Sequence, residues 1–169
     1  MTVRPDQVRS VMGRLATGVA VVASVLDDEP VGMTANAITS VSLNPPLLLF
    51  CGLRDATTSL GIVQSGCFSV NFLRREHACL AKRFSQSRPD KFKRVVYELG
   101  VTGAPVLRYA LGNLECVVRN VYDGGDHFIF VASIERARSR PGGMPLLTFR
   151  GAFHSAHPLG TPSPPGGTS

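Results

Sequence analysis

Few residues in this chain are equipped for chemistry. Its four histidines are His77, His127, His154 and His157, and none falls in an HxH or HExxH spacing. Serines are abundant, but no GxSxG elbow occurs, and the acidic residues are few and mostly lie in turn-like sequence. Neither a zinc site nor a hydrolytic triad is readable from such a set. Cys51, Cys67, Cys79 and Cys116 are widely spaced, form no CxxC pair and have apolar or small neighbours. That is the pattern of reduced, buried thiols in a cytoplasmic protein, not of a disulfide framework or a metal centre. The remaining route to chemistry is a bound cofactor.

Two segments suit a phosphorylated heteroaromatic molecule. From Thr34 to Ser42 small and hydroxylated residues alternate with a few apolar ones. Such a stretch lets a flat ring approach the backbone and orients its polar edges. Thr57-Thr58-Ser59, placed after a strand and at a helix start, offers free N–H groups and hydroxyls to a phosphate. Lys82 or Arg83 would add charge. The same richness in Ser and Thr also fits plain loop and capping chemistry.

These residues need elements to hold them. After Pro5-Asp6-Gln7, Val8, Val11, Met12 and Leu15 recur at helical spacing, so the chain opens on an amphipathic helix ended by Thr17-Gly18. Val19 to Leu26 is a β-branched run with the character of a buried strand. Asp27 to Pro30 is a turn, and Val31 to Thr34 returns as the second strand of a hairpin. The stretch from Ala35 to Asn44 is too polar for core and too apolar for a free loop. Pro45-Pro46 introduces a third strand, Leu47 to Cys51. Thr57 to Ser59 cap a short helix over Leu60 to Gln64, Cys67 to Phe72 is a strand, and Glu76 to Phe84 is a helix with Cys79, Leu80 and Phe84 inward. Residues 85–108 show no clear period beyond one helical turn at Lys91 to Lys93. Asn113 to Tyr122 and His127 to Glu135 are strands joined by a tight Asp123–Asp126 turn, and Pro145 to Phe149 is a late strand.

Six or seven strands with two or three short helices describe a mainly β domain. Hairpins at both ends predict an antiparallel barrel, which closes its own edges. A doubly wound sheet needs more long helices, and neither the dinucleotide glycine fingerprint nor a phosphate-binding loop is present. The domain is expected over residues 1–157, with 158–169 a disordered tail of Pro, Gly, Ser and Thr apart from Leu159.

Composition narrows the classes further. At 169 residues and 44% hydrophobic, the chain suits one domain with a real core rather than a disordered protein. No run of about 18 apolar residues marks a membrane span, and no apolar signal core follows the N-terminus. All but three of the 18 basic residues are arginines, and they are scattered. The net charge of +6 therefore fits a cationic mouth for a phosphorylated small molecule better than a nucleic-acid surface.

The order of the motifs adds a resemblance. Ala16 to Val22, followed by Gly32 to Phe50, resembles the flavin reductase domain. More narrowly it resembles the short-chain reductase component of two-component flavin monooxygenases. Ser59, Phe68 to Asn71, Leu80 to Phe84, Asp90 to Phe92, Gly125 to His127 and Leu146 to Phe153 resemble the later motifs in the same order. The resemblance runs from Val8 to His154, and His154 departs from positions that are often aromatic or basic in relatives. It implies an FMN-binding split barrel that works as a homodimer. It implies FMN or FAD in a groove near the dimer interface and NADH or NADPH as hydride donor to flavin N5. The reduced flavin then diffuses to a partner flavin-dependent monooxygenase. A non-catalytic flavin binder, or a flavoenzyme that keeps FMN and reduces a substrate directly, is the alternative on the same fold.

The resemblance also implies residue roles. Met33, Thr34, Asn36, Ala37, Ile38, Thr39 and Ser40 line the isoalloxazine ring through backbone and small side chains. Cys51 lies on the next strand, either beside the flavin or simply packed in the core. Thr57, Thr58 and Ser59 take the phosphate, Asn71 closes the pocket wall, and Ala81, Arg83 and Phe84 reach toward the ribityl phosphate. For Arg83 the other reading is a solvated helix face. His127, opening a strand after Gly-Gly-Asp, stands near the nicotinamide and aligns it, or else only caps its turn.

Overall fold

The computed structural model describes residues 3–156, so His157 and the 158–169 segment lie outside the described residues. Twelve strands and three helices are present among those described. Seven strands form the main sheet, in the order β3-β2-β6-β9-β10-β5-β4: β2 Ala20–Leu26, β3 Glu29–Ala35, β4 Ile38–Leu43, β5 Pro46–Leu53, β6 Cys67–Phe72, β9 Gly112–Gly124 and β10 His127–Ser139. Every pairing in it is antiparallel. The two edge strands, β3 and β4, are consecutive in the chain with only Asn36 and Ala37 between them. So short a link brings the two edges of the sheet together, so the sheet rolls into a split barrel.

The barrel's interior follows from strand alternation. Ala20, Val22, Leu48, Phe50, Phe68, Val70, Cys116, Phe130 and Ala132 point inward and are buried together. Phe50 sits at its centre, 5.8 Å from the Phe130 ring in a stacked pair and 5.9 Å from Phe68. The intervening β2 residues Val21 and Ala23 join Val19 in a second cluster with Leu73, Ala81, Phe84, Leu107, Ala110 and Leu146. Strand β2 is therefore buried on both faces, which explains its unbroken apolar run. The β2–β3 turn is made by Asp27 and Asp28 with φ of 50° and 64°. Two successive left-handed residues are the signature of a tight hairpin, and Asp tolerates them.

Helix α1, Pro5–Met12, is shorter than its apolar repeat suggests and buries nothing within this chain. Val8, Val11, Met12 and Leu15 are all exposed. The polar-apolar stretch that looked like neither core nor loop is strand β4, an edge strand whose outer residues Val41 and Leu43 are exposed. Helix α2 spans Thr57–Ser65, so Thr57, Thr58 and Ser59 form its first turn and the N-cap is Ala56. After a 3-10 turn at Arg75–His77, helix α3 runs Ala78–Phe84 and buries Ala81 and Phe84, while Cys79 is exposed rather than inward. The featureless 85–108 segment contains a small hairpin, β7 Tyr97–Leu99 and β8 Pro105–Leu107. A three-stranded sheet, β1 Thr17–Gly18, β11 Leu146–Phe149 and β12 Ala152–Ser155, stands apart from the main one.

Candidate active site

The bend that joins β3 to β4 is the natural wall for a ring. Thr34 donates its hydroxyl to the Ala81 carbonyl at 2.6 Å, which ties β3 to α3. Asn36 Nδ2 reaches the Thr17 hydroxyl at 3.0 Å. The Cys51 N–H donates to the Ala37 carbonyl at 3.0 Å, so β5 runs beside the bend. Met33 and Ile38 pack their side chains against the barrel core and leave only backbone to a ligand. Thr39 and Ser40 are exposed on the β4 edge, opposite Leu49 and Leu48 of β5. Cys51 is half-buried, and burial pushes its thiol above the ordinary range. It is therefore a neutral, space-filling neighbour of the bend.

His127 reaches the same surface through the sheet register. Its Cα partner on β5 is Leu53, while Cys51 pairs with Ile129. His127 and Ile129 thus share one face with Leu53 and Cys51, the face opposite the buried Phe50 and Phe130. The imidazole is half-buried and its Nδ1 lies 2.7 Å from the Asp126 carboxylate. The His127 hydrogen bond holds the Asp126 carboxyl below its usual range. That contact engages Nδ1 and leaves Nε2 as the ring nitrogen free for another partner.

Sequence reasoning missed Arg54, which fixes this turn. Its Nε donates to the Gly125 carbonyl at 2.7 Å, its Nη2 pairs with Asp123 at 2.7 Å, and its guanidinium lies 4.5 Å from the Phe128 ring centre. Nothing local signals this, because its partners lie some 70 residues away and meet it only through the β5–β10 pairing.

A third feature is an anion cradle. Ala56 has no side-chain oxygen, so the first-turn N–H groups of α2 lack a side-chain cap. They open beside a cavity of about 320 Å³ lined by Thr57 and Thr58, with Gly32, Ser87, Arg88 and Lys91 opposite. Lys91 Nζ donates to the carbonyls of Gly32 at 3.0 Å and Phe84 at 3.3 Å, so it is held in place and half-buried. Helix N-terminus, hydroxyls and Lys91 together fit a phosphate, with Arg88 beside them already paired to the Asp90 carboxylate through its Nε and Nη2. The sequence had supplied Thr57 and Thr58, but Arg88 and Lys91 come from a segment without periodicity. Gly32 is required here, since a Cβ would stand 2.8 Å from the Phe84 ring.

Several expected residues lie elsewhere. Ser59 is fully buried, its hydroxyl turned to Gly52 with no hydrogen-bond partner, so only its N–H can face the cradle. Asn71 is a core hub, not a pocket wall. Its Nδ2 donates to the Val21 carbonyl at 3.0 Å and the Ser69 hydroxyl at 2.9 Å, while its Oδ1 accepts from Leu107 N at 2.8 Å and Asn113 Nδ2 at 2.7 Å. Every polar valence is used within the chain. Ala81 and Phe84 are buried and support β3 from behind. Arg83 donates to the Lys93 carbonyl and lines a different cavity from Thr57 and Thr58.

Known proteins resemble this chain in sequence and in fold. Residues 12–157 match the family described as "Flavin reductase like domain". The chain is 35% identical over 156 residues to "Flavin-dependent monooxygenase, reductase subunit HsaB" of Mycobacterium tuberculosis, covering 91% of this chain and 83% of that protein. It is 40% identical over 157 residues to an "NADH-dependent FAD reductase" of Streptomyces globisporus, covering 90% and 86%. The solved structure of the Streptomyces globisporus NADH:FAD oxidoreductase SgcE6 with NAD and FAD fragments superposes with a TM-score of 0.87 at 36% identity, covering 95% of this chain and 99% of that one. No helix among the described residues is long and apolar enough to cross a membrane. Bend, imidazole and cradle thus occur on the fold those relatives share, and the chain belongs to the flavin reductase-like domain family.

Proposed function

We propose that this chain is an NAD(P)H:flavin oxidoreductase that delivers reduced FMN or FAD to a partner flavin-dependent monooxygenase. The observation that carries the reading is the placement of the Asn36–Ala37 bend, Cys51 and His127 side by side through the β4–β5–β10 pairing. When bound, the flavin accepts a hydride at N5 from reduced nicotinamide. The chain's own residues position and screen. The backbone of Thr34 to Ser40 supports the ring, and the α2 first turn, Arg88 and Lys91 hold the phosphate. His127, steadied by Asp126, offers Nε2 to the nicotinamide carboxamide. No side chain has to move a proton for the transfer itself, so alignment is the main contribution.

The working unit in this reading is a cytoplasmic homodimer of one domain, residues 1–157. The outer face around the site supports a second copy: Val41, Leu43, Leu53 and Tyr122 are exposed on neighbouring strands. The free thiols Cys51, Cys67, Cys79 and Cys116 support a reducing compartment. The test is loss of reduced-nicotinamide absorbance with FMN, FAD or riboflavin supplied in turn, using NADH and NADPH. Turnover that depends on added flavin is expected. A yellow protein that holds flavin without turnover would instead make it a binder.

A further inference from the structure

On the far side of α3 from the cradle lies a second built cavity. It is a slot of about 370 Å³ with an apolar wall of Leu73, Leu80, Val95, Val96 and Leu107, and Arg83 and Arg94 also line it. At Glu76, His77 and Tyr109 it opens into a wider mouth of about 720 Å³ that carries Arg74, Arg108, Arg138 and Arg140. Arg138 and His127 stand at opposite ends of β10, eleven residues apart, on the order of 35 Å along the strand. This place is therefore separate from the proposed hydride-transfer site.

The charge in the mouth is unbalanced. Four arginines face two carboxylates, Glu76 and Glu98. Arg138 is paired with Glu98 at 2.5 Å. Among the described residues Arg74, Arg108 and Arg140 have no acidic partner, and the buried Nε atoms of Arg74 and Arg140 have no hydrogen-bond acceptor. Buried N–H groups without acceptors are costly, and the arginines that carry them line the mouth with positive charge in excess of its two carboxylates. Desolvation holds the His77 imidazole below its usual range.

We propose that this compartment binds a small amphipathic carboxylate, with a single aromatic ring in the slot and the carboxylate on the arginines. The single Arg138 Nη1–Glu98 Oε1 contact shows that the cluster accepts a carboxylate, and a guanidinium left without an acidic partner can take one by its fork. Glu76 at the junction disfavours a dianionic phosphate, and the slot's volume is that of a one-ring ligand site.

The experiment is calorimetric titration of the full chain, without flavin or nicotinamide, using phenylacetate, acetate and benzyl alcohol. Phenylacetate should bind saturably at one per chain and about tenfold or more tighter than either fragment. Arg108→Ala and, separately, Val96→Glu should each weaken it about tenfold with an unchanged thermal midpoint. Both residues are exposed, so either variant tests the site if the other fails to fold. Phenylacetate binding no tighter than acetate, or binding unaltered in a folded variant, overturns the proposal. The readout needs no flavin turnover, so it stands or falls apart from the reductase reading.

Discussion

The Nδ1 of His127 lies 2.7 Å from the Asp126 carboxylate, at the turn that Arg54 clamps from β5. A histidine so held is oriented through Nδ1 and keeps Nε2 for a molecule docked on the outer face of β5 and β10. Its contribution is alignment, so its loss should touch one substrate and spare the other.

His127→Ala is expected to raise the nicotinamide KM or lower kcat by about tenfold, with the flavin KM changed by less than about twofold. Steady-state kinetics with each substrate varied in turn checks this. Equal losses for flavin and nicotinamide would mean that the imidazole only holds its turn.

Lys91 carries a pH signature. Burial holds its ammonium below the ordinary lysine range, so it discharges earlier than an exposed lysine as pH rises toward about 10.4. In that window the unfolded chain binds more protons than the folded one, so stability climbs with pH. FMN affinity should fall across the same window, because the phosphate loses its cation. Riboflavin affinity should stay level, and Lys91→Ala should remove the difference. Fluorescence titrations of both flavins across pH read all three.

Ser59→Ala separates side chain from backbone in the cradle. The Ser59 hydroxyl is buried without a partner, so its removal should leave stability unchanged or raise it by up to about 1 kcal/mol. The preference for FMN over riboflavin should persist, since the Ser59 hydroxyl is turned to Gly52 and not into the cradle. A selective loss of FMN binding would show that the hydroxyl reaches the phosphate.

Asn71→Ala should be among the most damaging core changes. It strips partners from Val21 O, Leu107 N and Asn113 Nδ2 at once. At about 1–3 kcal/mol for each buried group left unpaired, the loss should be at least about 3 kcal/mol in urea unfolding. Kinetic constants of the fraction that remains folded should be near those of the parent, because the Asn71 amide is spent on partners within the chain.

Much of this was legible in the chain. β-Branched runs and the Asp27-Asp28 turn announced the β2–β3 hairpin, and the Thr/Ser/Asn segment marked out the β3–β4 bend proposed to carry the flavin ring. The placing of Thr57 and Thr58 at a helix start was legible because a strand followed by a hydroxyl-rich helix start has a local signature. Lys91, Arg88 and Arg54 were not found, because their roles depend on partners distant in sequence. Asn71 was misread for a related reason: a buried amide and a ligand-binding amide look alike until its four hydrogen bonds are seen. The exposed apolar face of α1 also looked like core, since periodicity reports amphipathicity and not what covers it.

The most direct test of the central claim is an anaerobic single turnover. The protein is mixed with FMN or FAD and with NADH or NADPH carrying deuterium on the transferred C4 position. The account predicts that the flavin absorbance bleaches, that the isotope slows the bleaching, and that His127→Ala slows it further. Flavin that stays oxidised with both nicotinamides would contradict it.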